Sequence, residues 1–277
     1  MGTKKKRIAF IVREVLDSFQ RNHMSFQCVA LSYFCTMALI PMVTLIFAVS
    51  GDLGLSDKIS AVLFRAIPTY PELITIILEK AEVIITSAKS GIVGLISALI
   101  LLWSILWMMY QVERVFNNAW GIIKVPRNIF KRFSFYILAT ILLPFIILMF
   151  CSGILAYSNL LSVVGVQFHE WRIIAVFLYW SVIYGVTALT LAAMYKFIPV
   201  PRVYFRYAMK SALVAGLVFT IFQYLYLQTQ VFVTRYNAVY GVIAAVPLFL
   251  MWLNFSWQII MYGTELCYSL QKADSLV

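Results

Sequence analysis

Histidine is nearly missing from this 277-residue chain, which has only His23 and His169. Charged residues are also scarce, at 12%, and the acids number 11 against 22 lysines and arginines. Four cysteines, Cys28, Cys35, Cys151 and Cys267, stand far apart without a CxxC pair. That spacing encodes neither a zinc knuckle nor a disulfide framework. No GxxxxGK[ST] loop occurs, so nucleotide hydrolysis by that route is excluded. Without clustered His, Asp or Cys, a metal-dependent hydrolase has no ligands and a Ser-His-Asp triad has no base within reach. The chain reads as non-enzymatic, with no cofactor and no metal.

What the sequence has is hydrocarbon. Hydrophobic residues make up 63% of it, and its mean hydropathy is +0.91. Six apolar runs, at about 30–49, 92–110, 133–157, 173–195, 208–227 and 240–264, each approach the ~20 residues that cross a bilayer core as a helix. They are continuously apolar, whereas barrel strands alternate and are about 10 residues long. The expected class is all-α: one polytopic membrane domain over 1–277 with six transmembrane helices.

Basic residues sort onto alternate connections. With the amino terminus inside, sixteen lysines and arginines fall on the cytoplasmic pieces and six on the other side. Four of those six lie in the 50–91 connection, offset by Asp52, Asp57, Glu72, Glu79 and Glu82. The positive-inside rule then places both termini in the cytoplasm, in a bacterial inner membrane. This arrangement explains the net charge of +11 without nucleic acid. It also puts His23 and His169 on opposite faces of the membrane.

Two segments read as amphipathic rather than spanning. In residues 1–28, Ile8, Ile11, Val12, Val15, Leu16 and Phe19 recur at helical spacing opposite Arg13, Glu14, Asp17, Gln20 and Arg21. This helix either lies on the inner leaflet with Lys4, Lys5, Lys6 and Arg7 at anionic headgroups, or packs on its own protein. The insertion at 50–91 carries two further apolar stripes, separated by Pro68 and Pro71, which predict two helices on the outer face.

Polar residues inside apolar runs are costly unless satisfied. Asn254, Gln258, Tyr262 and Glu265 share one face of the last run, and Ser97, Ser104 and Gln111 one face of the second. Gln223 follows Gly216 and Thr220 along the fifth. These stripes either line a path for a polar or amphipathic substrate or hydrogen-bond between helices. Glu113 and Glu265 sit near the cytoplasmic ends, at the depth of Arg114, Lys196, Arg202, Arg206 and Lys210. They either form ion pairs that pin loops or contribute to a basic pocket for an anionic headgroup. Pro41, Pro144 and Pro247, with Gly241, are candidate hinges.

Several motifs carry a resemblance: Ala30-Leu31-Ser32-Tyr33-Phe34 with Pro41, Asn117-Asn118-Ala119-Trp120, and Tyr195-Lys196-Phe197-Ile198-Pro199 with Arg202. Tyr236-Asn237-Ala238-Val239-Tyr240-Gly241, Leu250-Met251-Trp252-Leu253 and Gly263-Thr264-Glu265-Leu266 complete the set. Over nearly its whole length the chain resembles the YihY/BrkB family of bacterial inner-membrane proteins. Thr264 stands where Ala is expected and Asn254 where an aromatic is usual. The resemblance implies a six-span inner-membrane protein linked to lipid movement toward the outer envelope. The family's old label of tRNA-processing ribonuclease finds no matching His/Asp cluster here.

The expected function is transport of an anionic phospholipid, entering near Arg114, Arg202, Arg206 and Lys210 and leaving toward the outer envelope or a periplasmic lipid carrier. A non-transporting scaffold that recruits periplasmic partners through 56–89 is the alternative, and bundles of this size often form homo-oligomers.

Overall fold

The computed structural model describes residues 2–52, 91–122, 171–236 and 238–275, together with Thr75, Ile76, Leu78, Glu79 and Val83. All regular structure among the described residues is helical. The elements are α1 (Gly2–Arg21), α2 (Met24–Asp52), α3 (Gly91–Ala119), α4 (Trp171–Phe197), α5 (Phe205–Tyr236) and α6 (Ala238–Ser275). Five of the six apolar runs fall inside α2 to α6, which are 27 to 38 residues long. At ~1.5 Å per residue, each exceeds the ~30 Å of a hydrocarbon core. By length and composition together, Phe205–Tyr226 qualifies as a span among the described residues, and Met24–Ala38 and Ile183–Phe197 are shorter apolar helices. The run 133–157 with Pro144, and the 50–91 insertion apart from its ends and the five residues named above, lie outside the described residues.

The helix boundaries follow from local chemistry. His23 takes a left-handed backbone at φ 50° between α1 and α2, and the Gln27 side chain donates to the Asn22 carbonyl at 2.9 Å. α3 ends in a Schellman closure: Ile122 N donates to Asn117 O at 3.1 Å and Gly121 N to Asn118 O at 2.9 Å. Gly121 supplies the φ of 70° that this closure requires.

The chain gathers into two compact units. One takes Met1–Tyr33, Tyr110–Arg127 and Ile174–Val277, and the other Phe34–Met109 and Asn128–Ile173. In the first unit α5 and α6 pack together most extensively, and α1 lies along α6. Small side chains at Ala208, Ser211, Ala212, Ala215 and Gly216 form the buried face of α5. Such residues let helix backbones approach closely where lipid offers no hydrophobic drive. A Cβ at Gly216 would touch Ala188 at 3.4 Å, and one at Gly263 would lie 2.0 Å from the Tyr195 hydroxyl oxygen. Gly263 is therefore the space that Tyr195 fills, and Tyr195 donates to the Ile260 carbonyl at 3.1 Å. The opposite faces carry exposed apolar side chains: Phe26, Val29 and Tyr33 on α2, and Leu213, Leu217 and Ile221 on α5.

α1 packs on its own protein. Phe19 is buried, and its ring stacks on Tyr262 at 3.8 Å and 3°. The Lys272 ammonium donates to Glu14 at 2.7 Å, and Arg7 pairs with Asp274. The apolar stripe divides: Ile11 and Phe19 are buried, whereas Val12 and Leu16 are exposed.

In the second unit, Ile96, Leu99, Ile100 and Trp103 of α3 are exposed. Ser104 returns its hydroxyl to the Ile100 carbonyl at 2.9 Å.

Candidate functional site

Three of the motifs, those at Asn117, Tyr195 and Glu265, lie where α1, α3, α4 and α6 converge. Asn117 is fully buried. Its amide donates to the Glu113 carbonyl at 2.8 Å, and its side-chain oxygen accepts from Val200 N at 2.8 Å. Asn118 donates to the Asn22 carbonyl at 3.1 Å. Two adjacent amides thus pin the α1–α2 turn and the α4–α5 loop to the end of α3. Lys196 donates to the Val203 carbonyl, turning that loop back so that Arg202 is exposed while Pro199 and Val203 are buried. Glu265 is buried, and one of its oxygens accepts from the Asn22 amide at 2.9 Å.

Beside this junction, the start of α5 and the last turns of α6 enclose an open groove of about 790 Å³. Its lining includes Trp120, Tyr204, Phe205, Arg206, Tyr207, Tyr268, Gln271, Lys272 and Asp274. Gln271 bridges both walls, accepting from Tyr204 N at 3.2 Å and donating to the Arg202 carbonyl at 3.1 Å. Arg206 donates to Asp274 at 3.0 Å and lies 4.8 Å over the Tyr207 ring. The Tyr207 hydroxyl donates to the same carboxylate. Trp120 meets Tyr268 edge-on at 5.9 Å, and Lys272 sits 5.6 Å over the Tyr268 ring. The Glu14 hydrogen bond raises the Lys272 pKa, outweighing the opposing effect of burial. The groove therefore joins aromatic surface to both signs of charge, a chemistry suited to a ligand that is part ionic and part apolar.

The residues expected from sequence distribute unevenly over this geometry. Arg206 lines the groove, and the Arg202 carbonyl accepts from the groove residue Gln271. Lys210, one turn beyond Arg206, is exposed on α5. Arg114 is exposed on α3 and Gln111 is half-buried there. Glu113 is buried. Gln223 accepts from the Trp252 indole at 2.8 Å, and Gln258 donates to Asn254 at 2.7 Å within α6. None of Gln223, Asn254 and Gln258 lines the groove. Pro247 is inside α6, and Pro41 and Gly241 fall within α2 and α6. Sequence reading missed Tyr207, Tyr268, Gln271 and Asp274, and assigned Arg7 to the basic cluster at anionic headgroups rather than to Asp274. The available signal was Asp274 itself, an acid in the last turn of a helix, where the dipole disfavours negative charge. Among the described residues, no group of three His, Cys, Asp or Glu could hold a metal ion.

The model of the family Virulence factor BrkB matches residues 15–276. The chain belongs to that family. Similar proteins include a UPF0761 membrane protein of Chromohalobacter salexigens, 28% identical over 92% of this chain and 62% of its own length. Another, from Mannheimia succiniciproducens, is 26% identical over 90% of this chain and 85% of its own. A third, from Histophilus somni, is 23% identical over 100% and 95%. This BrkB-family chain thus spans less than two thirds of the Chromohalobacter relative and nearly all of the Histophilus one. No solved structure matches it. The family is one of membrane proteins, and the exposed apolar faces of α2 and α5 accord with that.

Proposed function

We propose that this membrane protein takes an anionic phospholipid from the inner leaflet of the bacterial inner membrane and moves it toward the outer envelope, without enzymatic chemistry. One observation carries the reading, the exposed face of α5. Arg206 and Lys210 stand one turn apart, and Leu213, Leu217, Ile221 and Leu225 continue the same face at steps of three and four. A phosphate held by the two cations would place its acyl chains along that apolar strip. Arg202, exposed just before α5, adds a third charge at the headgroup level. The reading places both termini in the cytoplasm and a periplasmic lipid carrier at the receiving side.

The experiment is reconstitution of a variant with Arg202, Arg206 and Lys210 all changed to Ala, followed by movement of fluorescent phosphatidylglycerol between leaflets. Loss of charge-assisted contacts worth about 1.5–3 kcal/mol each predicts at least a roughly tenfold fall in rate. A folded variant that moves lipid at the unmodified rate ends the proposal.

A non-transporting scaffold is the second reading. The Trp252–Gln223 hydrogen bond favours it, because an amide oxygen satisfied between neighbouring helices needs no cargo. The same assay separates the two, since a scaffold moves no lipid even with every cation in place.

A further inference from the structure

Asp274 lies in the last turn of α6, where a negative charge opposes the helix dipole. It nonetheless collects three donors: Arg206 at 3.0 Å, the Tyr207 hydroxyl and the Arg7 guanidinium from α1. The complementary anomaly stands across the groove. α5 opens with no acid in its first turn, and Tyr204, at the cap position, has no short side-chain oxygen for the first amides. Arg206 then adds positive charge to an end that is already positive. Two guanidinium groups and a phenol thus converge on one carboxylate beside the start of α5.

We propose that Asp274 is an internal surrogate for phosphate: a phosphate-bearing lipid headgroup displaces it from Arg206, Tyr207 and Arg7, and the exchange frees the amino-terminal half of α1. The inference rests on the reading given under Proposed function and names the regulation of that same site. The exchange is cheap because the pair is open to solvent, with side-chain exposures of 65% for Arg206 and 24% for Asp274. Pairs this accessible contribute little. Phosphate offers more acceptor oxygens than a carboxylate and engages guanidinium bidentately. The exposed rings of Tyr204 and Phe205 stand at the groove to meet the lipid's apolar part. Two anchors of α1 on α6, Arg7 to Asp274 and Glu14 to Lys272, are both attached to groove residues. Occupancy of the groove is therefore transmitted directly to α1.

The test uses the full chain in detergent and its Asp274→Asn variant, which keeps the shape and loses the charge. Short-chain phosphatidylglycerol, short-chain phosphatidylcholine and inorganic phosphate are titrated separately by calorimetry. Removing the competitor should tighten phosphatidylglycerol binding about fivefold or more, equivalent to about 1 kcal/mol. Adding Arg206→Ala to that variant should abolish the gain. Hydrogen exchange over residues 2–14 should rise when phosphatidylglycerol binds the unmodified protein, and be high without ligand in Asp274→Asn. If Asn at 274 prevents folding, Asp274→Ala reads the same tightening.

Unchanged or weaker phosphatidylglycerol binding in a folded variant overturns the proposal and leaves Asp274 as a helix-end ion pair. A gain for inorganic phosphate alone overturns the lipid assignment. The transport reading fails on the movement assay and this inference on the binding assay, so the two failures are distinguishable.

Discussion

Glu265 shows how one residue couples burial to pH. It is fully buried and lies one residue beyond the last apolar run. Burial pushes its carboxyl above the usual value of 4.5, while hydrogen bonds from Asn22 and Ser18 and the charge of Arg21 pull it partly back. Glu14, also on α1, pushes it upward. A carboxyl that holds its proton more tightly when folded contributes stability in acid and loses it as pH rises through the folded pKa. Unfolding midpoints in detergent should therefore fall as pH rises above the usual carboxylate range, and Glu265→Gln should flatten the curve. An identical slope in the Gln variant would show that another group titrates. Glu265→Ala, by contrast, removes the acceptor of the Asn22 amide, at a cost of about 1–3 kcal/mol.

At the scale of the element, α1 is held by one ring and several charges of unequal worth. Phe19 is buried and stacks closely on the Tyr262 ring. The Arg13–Asp17 and Arg21–Glu14 pairs stand 3.6 and 3.8 Å apart with their arginines well exposed. Phe19→Ala should cost about 3–5 kcal/mol of helix docking, whereas Arg13→Gln should cost under about 0.5 kcal/mol. Limited proteolysis within residues 2–21 reads the difference. Equal protection in both variants would mean that charge, not the ring, holds the helix.

For the molecule as a whole, exposed apolar faces on α2 and α5 match the membrane character of the family. The charge asymmetry then predicts its orientation. Cysteines introduced at positions 3 and 276 should react with an impermeant maleimide only after the inner membrane is opened, and one placed within 56–89 should react from the periplasm. Labelling of the terminal positions from the periplasm would reverse the topology and remove the inner-leaflet entry site with it.

By itself the sequence determined the all-helical class, five of the helices that the structure describes, and the family. Those properties depend on continuous apolar runs and on contiguous motifs, which are local along the chain. Periodicity also located the amphipathic helix of α1, but left open whether lipid or protein would cover it. Only tertiary structure decided that Phe19 meets Tyr262, that Asn117 and Asn118 fasten two distant connections, and that Arg206 faces Asp274 across a groove. These pairings join residues 68 to 243 positions apart, and no local periodicity specifies which helix supplies the partner. Arg202, Arg206 and Lys210 were legible because clustered cations beside an apolar run are conspicuous. Tyr207 and Asp274 were not, because each is ordinary in its own segment, and the pairing of Arg7 with Asp274 exists only once α1, α5 and α6 come together.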